Sequence, residues 1–216
     1  MALNKTVVFN KYVDDISTER ERRISGIKKF DLRASFLWDE CMQIIDEVQK
    51  TQLEQVYNYA KRIVYRHVGL SSKIYFAHPL RVASYTILFT EKRPIEAGII
   101  GLLHNVLEVS NTSHADLKKR FGFQILNIIE TLTVDRNFEW DLKYKKDYYS
   151  AIESLPVNAR IVKIIDKFDN LFTLDLNPDI QIKSRYLKEI KQYILPMVKR
   201  DLPFMYTYFK KLIIDS

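Results

Sequence analysis

The stretch that decides the reading is "GIIGLLHNVLEVS", Gly98 to Ser110. Ile99, Ile100, Leu102, Leu103, Val106 and Leu107 cover more than one face of a helix with 3.6 residues per turn, the mark of a buried helix. Into that apolar surround the chain sets His104, Asn105 and Glu108. At helical spacing His104 and Glu108 lie one turn apart on the same side, with Asn105 beside them. An unsatisfied buried polar group costs on the order of 1–3 kcal/mol, so these three must have partners: each other, water or a metal ion.

Working outward, the bulk properties fit one soluble all-α domain. The 216 residues can bury a single good core. Only 5 Gly and 6 Pro punctuate the chain, which argues for short loops and against a sheet-rich fold. One cysteine, Cys41, excludes an internal disulfide framework and a Cys-based zinc site. No apolar run approaches the ~18 residues of a membrane span. The start, "MALNKTVVFNKYVDD", lacks the apolar centre of a secretory leader, so no membrane is expected and a cytoplasmic setting is. The net charge of +7 suits an anionic partner. No zinc finger, RNA-binding aromatic signature or Gly-rich phosphate loop is present, so a phosphorylated small molecule is expected ahead of nucleic acid.

The charged residues 1–33 read as an N-terminal arm that packs on the domain or on a partner chain, so a homo-oligomer is allowed for. Residues 34–216 read as one helical domain of about ten helices. "SFLWDECMQIIDEVQ" predicts one helix with Phe36, Leu37, Met42, Ile44, Ile45 and Val48 on its buried face. "QLEQVYNYAKRIVYRH" predicts the next. Helices begin around Pro79 and Pro94, where a missing N–H is tolerated. Thr112 or Ser113 caps another, and Gly122 marks a stop near its end.

Two further polar intrusions stand out. Asp166 interrupts the apolar run Ile161, Val162, Ile164, Ile165 and Phe168, where a carboxylate is rarely buried unless paired or bound to a cation. Asn170 follows on the same helix face. His78 opens its helix just after the apolar "IYFA".

In order along the chain, His78, His104, Asn105 and Asp166 resemble the H…HD…D signature of the HD-domain metal-dependent phosphohydrolases. More narrowly, they resemble the RelA/SpoT-type branch that removes pyrophosphate from the 3′ position of guanosine tetra- or pentaphosphate. "YFAHPLRVA" (75–83) is similar to its P-Y-x-x-H-P-x-x-V-A, and "GLLHNVLEVS" (101–110) to its L-L-H-D-x-x-E-D-T. "DLKKRFGFQILNIIETLTV" (116–134) parallels its acidic residue, F-G, apolar helix and G-V-T. "VKIIDKFDNLFTL" (162–174) parallels its I-K-L-A-D-R-L-x-N-M-R-T-L. The match runs from about residue 50 to 200.

The resemblance implies an HD-type helical bundle and a divalent ion, typically manganese, in an N/O site with open positions for water and phosphate oxygen. Carried over by motif, His78, His104, Asn105 and Asp166 are the metal residues. Glu108, with Asn105, handles the attacking water. Lys73, Asn170 and Thr173 lie against the nucleotide. Three departures fall on this machinery: Asn105 stands where the family has Asp, Val109 where it has a second acid, and "GLSSKIY" (69–75) is a shortened phosphate loop keeping one cation, Lys73. A neutral ligand at 105 weakens the pull on a dication. The alternative is therefore a weakly active or inactive homologue that binds a nucleotide or partner protein as a regulator.

Overall fold

The computed structural model describes residues 4–67, 69–90 and 94–216. In chain order its α-helices are α1 Lys5–Tyr12, α2 Ile16–Ser25, α3 Leu32–Gln43, α4 Glu47–Arg62, α5 Ser72–Tyr75, α6 Ala77–Phe89 and α7 Pro94–Leu103. There follow α8 Val106–Val109, α9 His114–Leu132, α10 Leu142–Glu153, α11 Val157–Leu171, α12 Ile180–Glu189, α13 Leu195–Asp201 and α14 Tyr206–Ile214. The expected all-α class holds: the described residues include no strand, only a single bridge between His67 and Leu70. None of these helices is long and apolar enough to cross a membrane.

Short polar side chains start the helices. Asp15, Asp31, Asp46, Ser113, Asp141 and Asp179 each accept a hydrogen bond from a backbone N–H of the first turn, satisfying donors that have no intrahelical partner. The cap at Asp46 corrects one expectation. The helix foreseen across residues 35–49 stops at Gln43 and restarts at Glu47. Within α3 the inward face is Ala34, Leu37, Trp38 and Cys41, which leaves Phe36 exposed; Ile44 at the C-cap and Val48 in the new helix are exposed as well.

Two helices form the centre. α6 is buried along nearly its whole length and packs against α3, α7 and α11. α11 buries Ile161, Val162, Ile164, Ile165 and Phe168. Helices α6 and α7 approach closely because Gly101 has no side chain: a Cβ there would lie 2.5 Å from the Ala83 Cα. Gly122, with φ 83°, kinks α9 rather than ending it.

Residues 4–33 pack on this centre. The Phe9 ring lies 5.8 Å from Phe89, 5.3 Å from Tyr208 and 5.9 Å from Phe204. Glu19 and Arg23 of α2 are fully enclosed.

The opening stretch is not one helix. α7 ends at Leu103, His104 and Asn105 form a turn, and α8 begins at Val106. The His104 ring takes part in the break: its Nδ1–H donates to the Gly101 carbonyl at 2.8 Å, the acceptor a continuing helix assigns to the Asn105 N–H. Asn105 sits at φ −117°, ψ 8°, and its own carbonyl accepts from the N–H groups of Glu108 and Val109.

Candidate metal centre

Three helix ends and faces meet beside that turn. α6 presents His78 from its first turn, the α7–α8 turn presents His104, and the middle of α11 presents Asp166. One ligand atom from each lies within 4.8 Å of the others. The His78 Nε2 is 3.5 Å from the Asp166 Oδ1 and the His104 Nε2 is 3.7 Å from the same oxygen. The two imidazoles meet edge to face, 5.2 Å between centroids.

Both rings are oriented from behind. His104 gives its Nδ1 proton to the Gly101 carbonyl, which leaves Nε2 a bare acceptor; that atom is buried with no hydrogen-bond partner. The His78 Nδ1 lies 2.8 Å from the Asp169 Oδ2, so its Nε2 also faces Asp166. The Asn105 amide donates to the Tyr75 hydroxyl at 2.5 Å, and its Oδ1 is a second buried oxygen without a partner. Two orphaned acceptors beside a carboxylate, with both histidines fixed through their other nitrogen, fit a divalent cation. His78, His104 and Asp166 would hold it, with the Asn105 oxygen as a neutral addition.

The electrostatics favour an ionised Asp166. Burial raises a carboxyl group, yet the Lys163 ammonium at 3.1 Å and the two histidines outweigh it and hold Asp166 well below the usual carboxylate range. Burial likewise lowers the His78 imidazole, and its contacts with Asp166 and Asp169 more than reverse this.

No family model matches the chain. It is similar to the guanosine-3′,5′-bis(diphosphate) 3′-pyrophosphohydrolase of Borreliella burgdorferi, 25% identical over 173 residues, covering 77% of this chain and 26% of that protein. It is also similar to the Drosophila melanogaster guanosine-3′,5′-bis(diphosphate) 3′-pyrophosphohydrolase MESH1, 30% identical over 105 residues, 48% of this chain and 57% of that one. The fold matches the solved structure of a metazoan SpoT orthologue that hydrolyses ppGpp, with TM-score 0.58 and 18% identity over 76% of this chain and 94% of the other. The chain is a divergent relative of the RelA/SpoT-type hydrolases. It spans about a quarter of the Borreliella protein's length and 21% of the length of the similarly named Aquifex aeolicus protein.

In this RelA/SpoT-type relative the other predicted site residues are dispersed around the three-residue centre. Glu108 lines the same cavity, of about 150 Å³, and pairs with Arg136 from the loop after α9. Asn170 donates to the Asp166 Oδ1 at 2.8 Å, so it braces the carboxylate as well as lining the cavity. Thr173 lines a wider groove of about 630 Å³ that shares His78, Tyr75, Arg136 and Asn170 with the inner cavity. Lys73 is exposed on α5 and is not among the lining residues of either space.

Sequence reasoning passed over several groups. Asp169 lies three residues beyond Asp166 in the same apolar run and is the carboxylate behind His78. Arg81 stands alone among the uncharged residues of α6 apart from His78, and its Nε and Nη2 both donate to Asp169 at 2.8 Å. Lys163 and Glu189 also line the inner cavity. A charge within an otherwise apolar helix was the available signal in "HPLRVASYTILF" and "IVKIIDKFD".

Proposed function

We propose that this chain is a divalent-metal-dependent phosphohydrolase that releases pyrophosphate from a guanosine 3′,5′-bis(diphosphate) or a closely related nucleotide polyphosphate. The observation that carries the reading is the meeting of His78, His104 and Asp166 in the lining of an inner cavity that shares His78, Tyr75, Arg136 and Asn170 with a groove of about 630 Å³. Manganese is the ion that the resemblance to the HD-domain hydrolases implies, and the two imidazoles and carboxylate suit several divalent ions. Bound there, a divalent ion would polarise a phosphoryl oxygen and lower the pKa of a coordinated water.

The chain's own residues supply the rest. His78 and His104 offer Nε2 acceptors whose orientation is set before any ligand arrives. Asp166 supplies the negative charge, steadied by Lys163 and Asn170. Glu108 is the acid/base group at the cavity wall, and an incoming phosphate competes with it for Arg136. Lys163, Lys145 and Arg136 line the same cavity and offset phosphate charge.

The test is release of pyrophosphate or phosphate from a nucleotide panel with manganese, using the chain and its Asn105→Asp variant. Turnover in either supports the reading. No release by either protein sinks it. A second reading, a nucleotide-binding homologue without turnover, is favoured by one observation: the single carboxylate of the centre is already contacted by the Lys163 ammonium, and Asn105 adds no charge. Micromolar nucleotide binding with no release, before and after Asn105→Asp, is its signature.

A further inference from the structure

Behind His78 the core holds a chain of charges, three of which, Arg23, Arg81 and Asp169, also border the wider groove. Asp169 is 3% exposed. It accepts from Arg81 at both oxygens and from the His78 Nδ1, and its Oδ1 lies 3.2 Å from the Arg23 Nη2. Both arginines also reach Asp31 Oδ2, at 2.9 Å from Arg81 and 3.4 Å from Arg23, while the Asp31 Oδ1 caps α3. Arg23 further pairs with Glu19 one turn earlier on α2. Five charged side chains from α2, α6, α11 and the start of α3 thus form one linked chain whose last member, Asp169, meets the Nδ1 of His78.

Resting on the reading of His78 as a metal residue, we infer that Asp169 is a positioning residue for the metal centre, and that Arg81 and the N-terminal helix residue Arg23 hold it in place. The chemistry is that of an acceptor-only group. An ionised carboxylate at Nδ1 requires the proton to sit on Nδ1, which leaves the Nε2 lone pair directed at Asp166 and His104. A carboxylate free to rotate would set the tautomer but not the orientation of the ring. Arg81 grips both oxygens through a planar fork, and Arg23, from a different helix, sets a cation 3.2 Å from one of them without a hydrogen bond. A buried ionic network of this size adds little net stability over an apolar packing of the same volume, whereas it fixes orientation well. A simple staple for the N-terminal segment would need only the Asp31–Arg81 pair. The extension through Arg81 and Asp169 to His78 is what ties residues 19–31 to the metal centre.

The experiment titrates manganese into the full chain by electron paramagnetic resonance, for the unsubstituted protein, Asp169→Asn and Arg23→Met, with Tm measured alongside. In Asp169→Asn, Arg81 retains the amide oxygen, the NH2 turns to His78, and the ring is forced into the tautomer with the proton on Nε2. Manganese affinity then falls about 10- to 100-fold. Arg23→Met leaves the Arg81 fork intact and lowers affinity about 3- to 10-fold. Should Asp169→Asn fail to fold, histidine ¹⁵N NMR of the zinc-loaded unsubstituted protein decides: a proton on Nδ1 and metal on Nε2 of His78 supports the inference, and coordination through Nδ1 overturns it. Affinities within twofold of the unsubstituted protein in folded variants, with only Tm lowered, make the network a structural staple and overturn it too. An unsubstituted protein that takes up no manganese or zinc removes the metal reading itself, and the inference with it.

Discussion

Two sets of ion pairs flank the candidate metal centre, and they differ in burial. Behind His78, the side chains of Arg23, Arg81 and Asp169 are 1%, 10% and 2% exposed. In front, Arg136 is 61% exposed and divides itself between Glu108 and Glu139 on a loop. Coulomb attraction is strong and unscreened in the first set, weak and open to salt in the second. The rear wall is therefore fixed, because losing one member strands another charge in the core. The front is exchangeable, because water or an anion can replace either partner at small cost. A metal-dependent hydrolase needs both: ligands that do not move and a cation that can change partners.

The largest expected effect comes from breaking the wall. Arg81→Met leaves Asp169 and Asp31 buried with half their partners and should lower stability by about 3–5 kcal/mol in urea unfolding. A loss below about 1 kcal/mol would erase the distinction between the two sets. Next, Gly101→Ala pushes a methyl group into the Ala83 backbone and should cost about 1–3 kcal/mol. Since α6 carries His78 and the turn after α7 carries His104, manganese affinity should fall as well, which calorimetry would read.

Asn105→Asp tests the centre between the two regions. A second carboxylate should tighten manganese binding by about tenfold, near 1.4 kcal/mol, measured by competition with a chelator. The same variant should be less stable without metal, since the new charge faces Asp166. The smallest effect belongs to the front. Arg136→Ala should leave unfolding stability within about 0.5 kcal/mol, while nucleotide affinity drops and loses part of its salt dependence. A large stability loss there would mean that the mouth is as rigid as the wall.

Much of the site was legible from the chain. His78, His104 and Asp166 each interrupt an apolar helix, and their order matched a known signature, so their convergence was foreseeable. The break at His104 and Asn105 was not, because it comes from a ring nitrogen reaching the Gly101 carbonyl, while apolar periodicity runs through the turn unchanged. Val48 was misread as core for a related reason, since the side-chain cap at Asp46 starts a new helix, whereas Phe36 and Ile44 lie off the buried face that Ala34, Leu37, Trp38 and Cys41 form in α3. Asp169 was hidden by its neighbour Asp166, whose role in the signature drew attention to the first carboxylate of the pair. Arg23 sat in a run, "STERERRIS", that looks like a solvated surface in any helical projection.

The sequence by itself determined the helices, the apolar faces that bind them together and the three side chains that can grip a cation, because each of these depends on neighbours a few residues away. Only the tertiary structure decided how those side chains are held. The partners of His78 are Asp169, 91 residues away, and through it Arg81 and Arg23, 88 residues and farther along the chain from that carboxylate. Charges so distant pair only when packing shuts water out between them, and no local pattern of letters records that.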